Sequence, residues 1–442
     1  MACGKAVQKS LAWRYSLPSV LDLDRLDPSV VPVVALLCML FAGWFQFNAV
    51  WAGVLLGWVP VFGLLILLVS LHRVFSSAPV LSSTSPVEPC DQPLTVVIPA
   101  YNEQHNIRRC LSSVLASDLP ACRWTVLVVD DGSTDRTAEI AQEVMNACSN
   151  LAVECRLIDA GARPIGERWV GKNWACSQAM EIVDSPWVLF LDADVEVSSD
   201  ALRRVLASAV DEGADLFSLA PRLVCGCLAE WMVQPIMASL LGLGFPIKAA
   251  NDPASSVAFA AGPFMLFRRT TYDLIGGHRA LAAEVVEDLA LARLIKQSGH
   301  RLIYRLGLDA VDLQMYSDLA SLWEGWTKNW YLGLDRSVVK SLLAGVVVFT
   351  MFTVPWLLLI ANCAVAGLLG FSDQVAIGAL AGCMGVLLQW ILRLWTKRTF
   401  GLPIRLWWLM AVGGIIVAAI APTSVWRSLT GRNWTWKGRS LA

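Results

Sequence analysis

Apolar and polar positions along this chain fall into three regimes. Near 30–71, and again beyond 338, apolar residues run almost unbroken. Between these ends, over roughly 90–335, short apolar runs alternate with stretches of helical spacing. The runs at 94–99, 124–130, 155–159 and 186–191 predict strands. The segments 104–115, 134–149, 171–183 and 199–211 predict helices, with Asp135 and Ser199 expected as N-caps of the second and the last. This β/α alternation is that of a parallel sheet wound by helices.

The apolar ends read differently. Blocks at 30–48 and 51–71 are each long enough to cross a hydrocarbon core of ~30 Å. A short uncharged connection makes them a hairpin, closed by His72 and Arg73. The polar stretch before them, with Lys5, Lys9, Arg14 and Arg25, is expected to be a cytoplasmic tail or a surface helix. Residues 76–93, rich in Ser and Pro, read as a linker. Residues 228–249 are apolar but broken by Pro235 and Pro246, and predict helices on a membrane surface or a buried core segment.

Three more apolar blocks lie near 341–369, 374–394 and 404–421, flanked by Arg393, Lys397, Arg398 and Arg405, then Arg427, Arg432, Lys437 and Arg439. With the middle domain in the cytoplasm, three complete crossings would put the basic tail outside, against the positive-inside tendency. Either the tail is an exception or one block does not cross. The second is favoured, with 404–421 or 341–369 as the suspect, giving four or five spans. The expected organisation is a tail (1–28), a transmembrane hairpin (29–73), a catalytic domain (90–335), C-terminal transmembrane helices (338–424) and a basic tail (425–442).

Composition sharpens this picture. Of 442 residues, 56% are hydrophobic, and the mean hydropathy is +0.55, too apolar for an ordinary soluble enzyme. A multi-pass membrane protein is expected, with no cleavable signal peptide, since the first apolar run starts too far into the chain. The formal net charge of -1 provides no field for nucleic acid. The twelve cysteines are scattered, with Cys225-Gly-Cys227 as the only close pair, and read as neutral thiols of a reducing compartment.

Candidate chemistry sits where strands end. The first run leads into Pro99-Ala-Tyr101-Asn-Glu103, the second into Asp130-Asp131, and the fourth into Asp192-Ala-Asp194. In an open α/β sheet, ligands bind beyond the carboxyl ends of the strands. Asp192 and Asp194 suit Mg²⁺ or Mn²⁺, hard ions that take carboxylate oxygens and complete their shell with phosphate. Asp130-Asp131 is read either as an acceptor for a nucleobase N–H or as helix capping. Tyr101 is read as an aromatic wall for a base or as ordinary packing. Lys172, at a predicted helix start, neutralises a diphosphate or is a surface charge. Glu287-Asp288 opens another helical pattern, where acids suit the macrodipole; the sharper reading is a general base that deprotonates an acceptor hydroxyl.

Together these elements resemble the family 2 glycosyltransferases. The likeness covers roughly 94–310 and rests on VVIPAYNE (96–103), VVDDGSTD (128–135), GKNWA (171–175), FLDADV (190–195) and VVEDLALARLIKQSGHRL (285–302). GKNWA, the acidic helix start and a late WKGR (436–439) further resemble a bacterial membrane group associated with hopanoids and carotenoids. The resemblance implies an α/β GT-A (Rossmann-like) domain that binds a nucleotide-sugar donor of UDP or GDP type. It implies that Tyr101 and Asp131 contact the base, supported by Glu103 with Pro99 in the same loop. Lys172 would lie near the nucleotide, Asp192 and Asp194 would hold the sugar diphosphate and metal, and Asp288 would be the base beside Glu287.

One departure bears on the product. Processive polysaccharide synthases of this family carry Q-x-x-R-W, whereas the matching stretch here is Trp326-Thr-Lys-Asn-Trp330. Its Gln and Arg are missing, which argues for one sugar on one acceptor. Trp326 and Trp330 are candidate acceptor contacts or part of an aromatic belt at the interface. His278 is a candidate acceptor contact or a satisfied surface histidine. The expected activity is inverting, metal-dependent transfer of a single sugar to a hydroxyl of a lipid-like acceptor: an isoprenoid, carotenoid or hopanoid. A polysaccharide synthase and a non-catalytic membrane scaffold are the alternatives.

Overall fold

A computed structural model describes residues 55–82, 88–148, 152–244, 246–431, 435–436 and 439–440. The expected tail, the first span of the hairpin and the start of its second span lie outside the described residues. The remainder of that second span is a helix, α1 (Val59–Phe75).

The central domain opens with β1 (Leu94–Ala100), α2 (Ile107–Leu115), β2 (Trp124–Asp130), α3 (Thr137–Asn146), β3 (Val153–Asp159), α4 (Gly171–Met180) and β4 (Trp187–Leu191). Their side chains alternate between two cores. Val96, Ile98, Val126, Val128, Leu189 and Leu191 pack on one face of the sheet. Val97, Leu127, Val129, Val188 and Phe190 pack on the other. Burial on both faces is why these strands read as unbroken apolar runs. Each such side chain contributes about 1.5–3 kcal/mol on burial.

The second half is less regular: β5 (Val195–Val197), α5 (Ala201–Asp211), β6 (Leu216–Ala220), β7 (Arg222–Leu223), α6 (Leu228–Gly244), α7 (Ile247–Asn251), β8 (Phe264–Arg268), α8 (Arg269–Leu274), α9 (Gly277–Ala280), α10 (Glu287–Gln297), β9 (Leu302–Leu306) and β10 (Val311–Leu313). The main sheet has the order β3-β2-β1-β4-β8-β6-β9. It is mixed rather than purely parallel, because β8 runs antiparallel to both β4 and β6. A smaller sheet, β5-β10-β7, lies apart from it. Ser199 is not the cap of α5; that position is Asp200, whose carboxylate accepts from Ser198 Oγ at 2.7 Å. Asp135 is not the N-cap of α3 either; that position is Arg136, and Asp135, one residue earlier, accepts from the backbone N–H of Thr137 at 2.9 Å.

The helical part comprises α11 (Leu319–Gly333), α12 (Val338–Phe352), α13 (Val354–Leu369), α14 (Asp373–Phe400) and α15 (Met410–Leu429), followed by a two-stranded ribbon, β11 (Thr435–Trp436) and β12 (Arg439–Ser440). A third apolar core joins α1, α6, α11, α12, α14 and α15. The segment at Asp373–Phe400 and that at Trp407–Leu429 are each long and apolar enough to cross a membrane. The pair α12 and α13 is bent by 43° at its junction, a broken span or a re-entrant loop. Of the two blocks suspected of not crossing, 341–369 is the one that bends, whereas 404–421 lies largely in a helical segment long enough to cross. Large apolar side chains stay exposed along these helices and α1, among them Phe62, Ile66, Val346, Leu368, Leu369 and Leu380. That surface suits lipid.

One alternative is decided here, in favour of the buried segment, and one expectation changes. Residues 228–244 form one helix through Pro235, whose face from Ala229 to Ser239 is buried against α15 and α11. Arg393 is no flanking charge but lies fully buried within α14, its guanidinium 5.6 Å from the Trp231 ring centroid.

Candidate active site

Strand register brings the acidic series together. Ala100 pairs with Asp130, and Val97 with Phe190, so the first, second and fourth strands end at one level. The loops that follow are tied to each other. Asn102 takes a left-handed conformation (φ 52°), accepts from the Thr134 backbone N–H at 2.8 Å, and donates its own N–H to Ser133 Oγ at 3.0 Å. The Glu103 N–H donates to Thr137 Oγ1 at 2.7 Å, and its carboxylate accepts from Asn106 at 2.9 Å. Asp130 folds back to accept from the Ser133 N–H at 3.1 Å, leaving Asp131 to face the cleft.

The cleft has a volume of about 270 Å³. Pro99, Tyr101, Glu103, Asp131, Lys172, Asp192, Asp194, Glu287 and Asp288 all line it. Lys172 stands at its centre, with Nζ 2.7 Å from Asp192 Oδ1 and 2.8 Å from Glu287 Oε1. Burial pulls this ammonium toward neutrality, but the two carboxylates hold its pKa well above the ordinary lysine value. Lys172 is therefore a charged hub rather than a surface lysine.

Two further groups, which sequence reasoning did not single out, position this hub. Asn173 is buried and donates to the carbonyls of Leu281 at 2.7 Å and Glu284 at 2.9 Å, fixing the chain just ahead of α10 to α4. Gly262, just before β8, donates its N–H to Asp288 Oδ2 at 3.1 Å, and a Cβ there would collide with that carboxylate. The Gly-Pro pair at 262–263 is the only local signal of this turn.

Glu287 and Asp288 are adjacent yet differ electrostatically. Burial raises the pKa of Glu287, but Lys172 outweighs it and leaves the group below the ordinary value. Burial raises Asp288 to about 6, reinforced by the Glu287 charge and opposed by Lys172. Environments that push two neighbouring carboxylates apart separate their roles. Asp131 is only 5% exposed, and its pKa is raised by burial against the pull of Arg163 and Arg439.

The three candidate acceptor contacts do not reach the cleft. Trp326 and Trp330 are buried in the helical core, donating to Gln234 Oε1 at 3.0 Å and to the Ser341 carbonyl at 3.2 Å. The same helix instead presents Gly325, Lys328 and Asn329. Burial lowers the pKa of Lys328, partly countered by Glu287. His278 is no surface histidine. It is buried, packs on Phe190 and shares a 2.7 Å hydrogen bond between Nδ1 and the Tyr272 hydroxyl, and burial lowers its pKa to about 3.

Among the described residues no group of three His, Cys, Asp or Glu side chains is arranged to hold a metal by itself. Of the carboxylates that line the cleft, Asp192 and Asp194 stand together just past β4, with one Asp192 oxygen paired with Lys172. This set fits an Mg²⁺-like ion that takes one or two carboxylates and fills its shell with phosphate oxygens.

The glycosyl transferase family 2 model matches residues 95–276. Those residues form a family 2 glycosyltransferase domain. The match begins in β1 and takes in the strands that lead into Tyr101, Asp131 and Asp192, in keeping with the GT-A expectation. The chain is 28% identical over 250 residues to a 4,4'-diaponeurosporenoate glycosyltransferase of Staphylococcus haemolyticus (strain JCSC1435), covering 56% of this chain and 63% of the relative. It is 28% identical over 254 residues to the protein of that name from Staphylococcus aureus (strain USA300), covering 57% and 64%. The chain thus spans just under two thirds of the length of these relatives. Among solved structures, a mannosyltransferase from Pyrobaculum calidifontis in complex with GDP-Man and Mn²⁺ aligns at 15% identity and a TM-score of 0.45, over 84% of this chain and 99% of that one.

Proposed function

We propose that this chain transfers a single sugar from a nucleotide-diphosphate sugar to a lipid-like acceptor at a membrane, with inversion at the anomeric carbon. The observation that carries this reading is the pairing of a depressed Glu287 with an Asp288 near 6 at the rim of a cleft lined by Asp131, Asp192 and Asp194. A base with a pKa just below neutrality is ionised at pH 7 yet still takes a proton as a hydroxyl oxygen attacks. Asp131 and Tyr101 hold the base of the donor, and Lys172 meets its diphosphate. Asp194, with Asp192, would hold Mg²⁺ or Mn²⁺, which supplies charge stabilisation to the departing diphosphate. Displacement by the acceptor oxygen needs no enzyme-bound sugar, so the configuration inverts.

The acceptor class is supported by the setting of the cleft. Tyr316 lines it and also belongs to the apolar core of the helical bundle. One wall of the site is thus continuous with helices whose outer faces suit lipid. The relatives' name points to a carotenoid-type acceptor. That name denotes a carboxylate, which attacks without losing a proton; the poised Asp288 favours a hydroxyl acceptor. In this reading the domain lies on the cytoplasmic side, where nucleotide sugars are made.

The test is incubation of the detergent-solubilised chain with Mn²⁺, a panel of UDP- and GDP-sugars and total membrane lipid, followed by mass spectrometry of the lipid fraction. A single sugar increment on one lipid, absent with Asp288→Asn, is the expected result. A long polymer, or transfer to soluble sugars alone, would sink the proposal.

A further inference from the structure

Two guanidinium groups converge on one carboxylate oxygen at the base-binding end of the cleft. Arg163 Nη2 and Arg439 Nη1 each lie 2.8 Å from Asp131 Oδ2. Arg439 also donates to the Asp131 backbone carbonyl at 2.8 Å, and its Cζ stands 5.0 Å from the Tyr101 ring centroid. Both arginines line the cleft. Arg439 comes from the ribbon after the last helix, 308 residues from its carboxylate.

Charge and exposure distinguish the two. Asp131 offers one negative charge to two guanidinium groups, so it balances only one of them. Arg163 has 21% of its side chain exposed and Arg439 35%, so Arg439 is the more accessible to a ligand. An arginine fork matches phosphate oxygens in a bidentate way that a lysine does not. A surplus fork beside an aromatic ring and a buried carboxylate suits a nucleoside carrying an anionic tail.

We propose that Arg439 is a donor-binding residue whose guanidinium contacts the diphosphate of a nucleoside diphosphate held at the Tyr101–Asp131 end of the cleft. This rests on the nucleotide-sugar reading above. The far end of the chain then completes the donor site that the strands begin.

The experiment is a calorimetric titration of UDP and of GDP, with Mg²⁺, into the full-length detergent-solubilised protein and its Arg439→Ala and Arg439→Lys variants. A charge-assisted hydrogen bond lost from such a contact weakens binding by roughly 10- to 100-fold. That loss is expected for Arg439→Ala, with partial recovery in Arg439→Lys, which keeps the charge but not the fork. If Arg439→Ala melts early, Arg439→Gln carries the same expectation. Unchanged affinity would overturn the proposal. So would tighter binding, which would mean that the guanidinium merely fills the place of the base. If the unaltered protein binds neither UDP nor GDP, the nucleotide-sugar reading itself fails.

Discussion

Replacing Asp288 by asparagine should slow the reaction and stabilise the fold at the same pH. The carboxyl is half-buried, accepts from the Gly262 N–H at 3.1 Å and the Leu289 N–H at 2.7 Å, and sits beside a charged Glu287. Its pKa lies near 6 against an ordinary 3.8. The folded state therefore binds this proton more tightly than the unfolded chain does. The stability the proton provides is present below about pH 4 and declines as pH rises to about 6. That interval corresponds to at most about 3 kcal/mol, less whatever water penetration relieves. Asparagine keeps the shape without the charge but can accept only one of those two N–H groups, a loss of about 1 kcal/mol, so the variant should melt higher than the parent at pH 7.5 and lower at pH 4. Catalysis should move the other way. With a pKa near 6, roughly 91% of Asp288 is ionised at pH 7 and roughly 9% at pH 5, so turnover should fall about tenfold between them. The variant should lose roughly 10²- to 10⁴-fold and also lose this acidic limb. Melting curves across pH 4–8 and a pH–rate profile on one acceptor check both. A variant that melts lower at pH 7.5 and keeps the acidic limb would refute the assignment of Asp288 as base.

Other substitutions probe the supports of the site. Lys172→Met leaves Asp192 and Glu287 without the ammonium between them, so stability at pH 7.5 should fall by up to about 3–5 kcal/mol. Thermal melts should show part of it returning as pH drops and the carboxylates protonate. Gly171→Ala puts a methyl group against the Asp131 carboxylate and should weaken UDP binding about tenfold or more while the circular dichroism spectrum stays unchanged. Gly413→Ala forces α15 away from the Met232 carbonyl of α6 and should cost about 1–3 kcal/mol, read as a lower thermal midpoint in detergent.

The pattern of the chain by itself determined the strands and the acids at their ends. Each of those signals is local: an apolar run long enough to be buried on both faces, followed at once by polar residues that cannot be. Val96–Glu103, Val128–Asp135 and Phe190–Val195 are contiguous, so their place at the rim of a sheet followed from spacing alone. The conflict between charge and topology pointed to two blocks, 404–421 and 341–369, and only the structure shows that the second is the one that bends.

What only tertiary structure decided were relations between distant segments. Which residues of α11 face the cleft depends on how α6 and α15 cover its other side, and that packing buries Trp326 and Trp330 while turning Lys328 inward. His278 reads as a turn residue until Tyr272 and Phe190 close around it. The antiparallel β8 carries Gly262 to Asp288, though nothing in its own five residues says which strands it will join. Arg439 reaches Asp131 across 308 residues, a distance over which no periodicity or propensity carries information. Helix and strand preferences act within a turn or two. The poise of Asp288, by contrast, comes from burial and charges that meet only after the chain has folded.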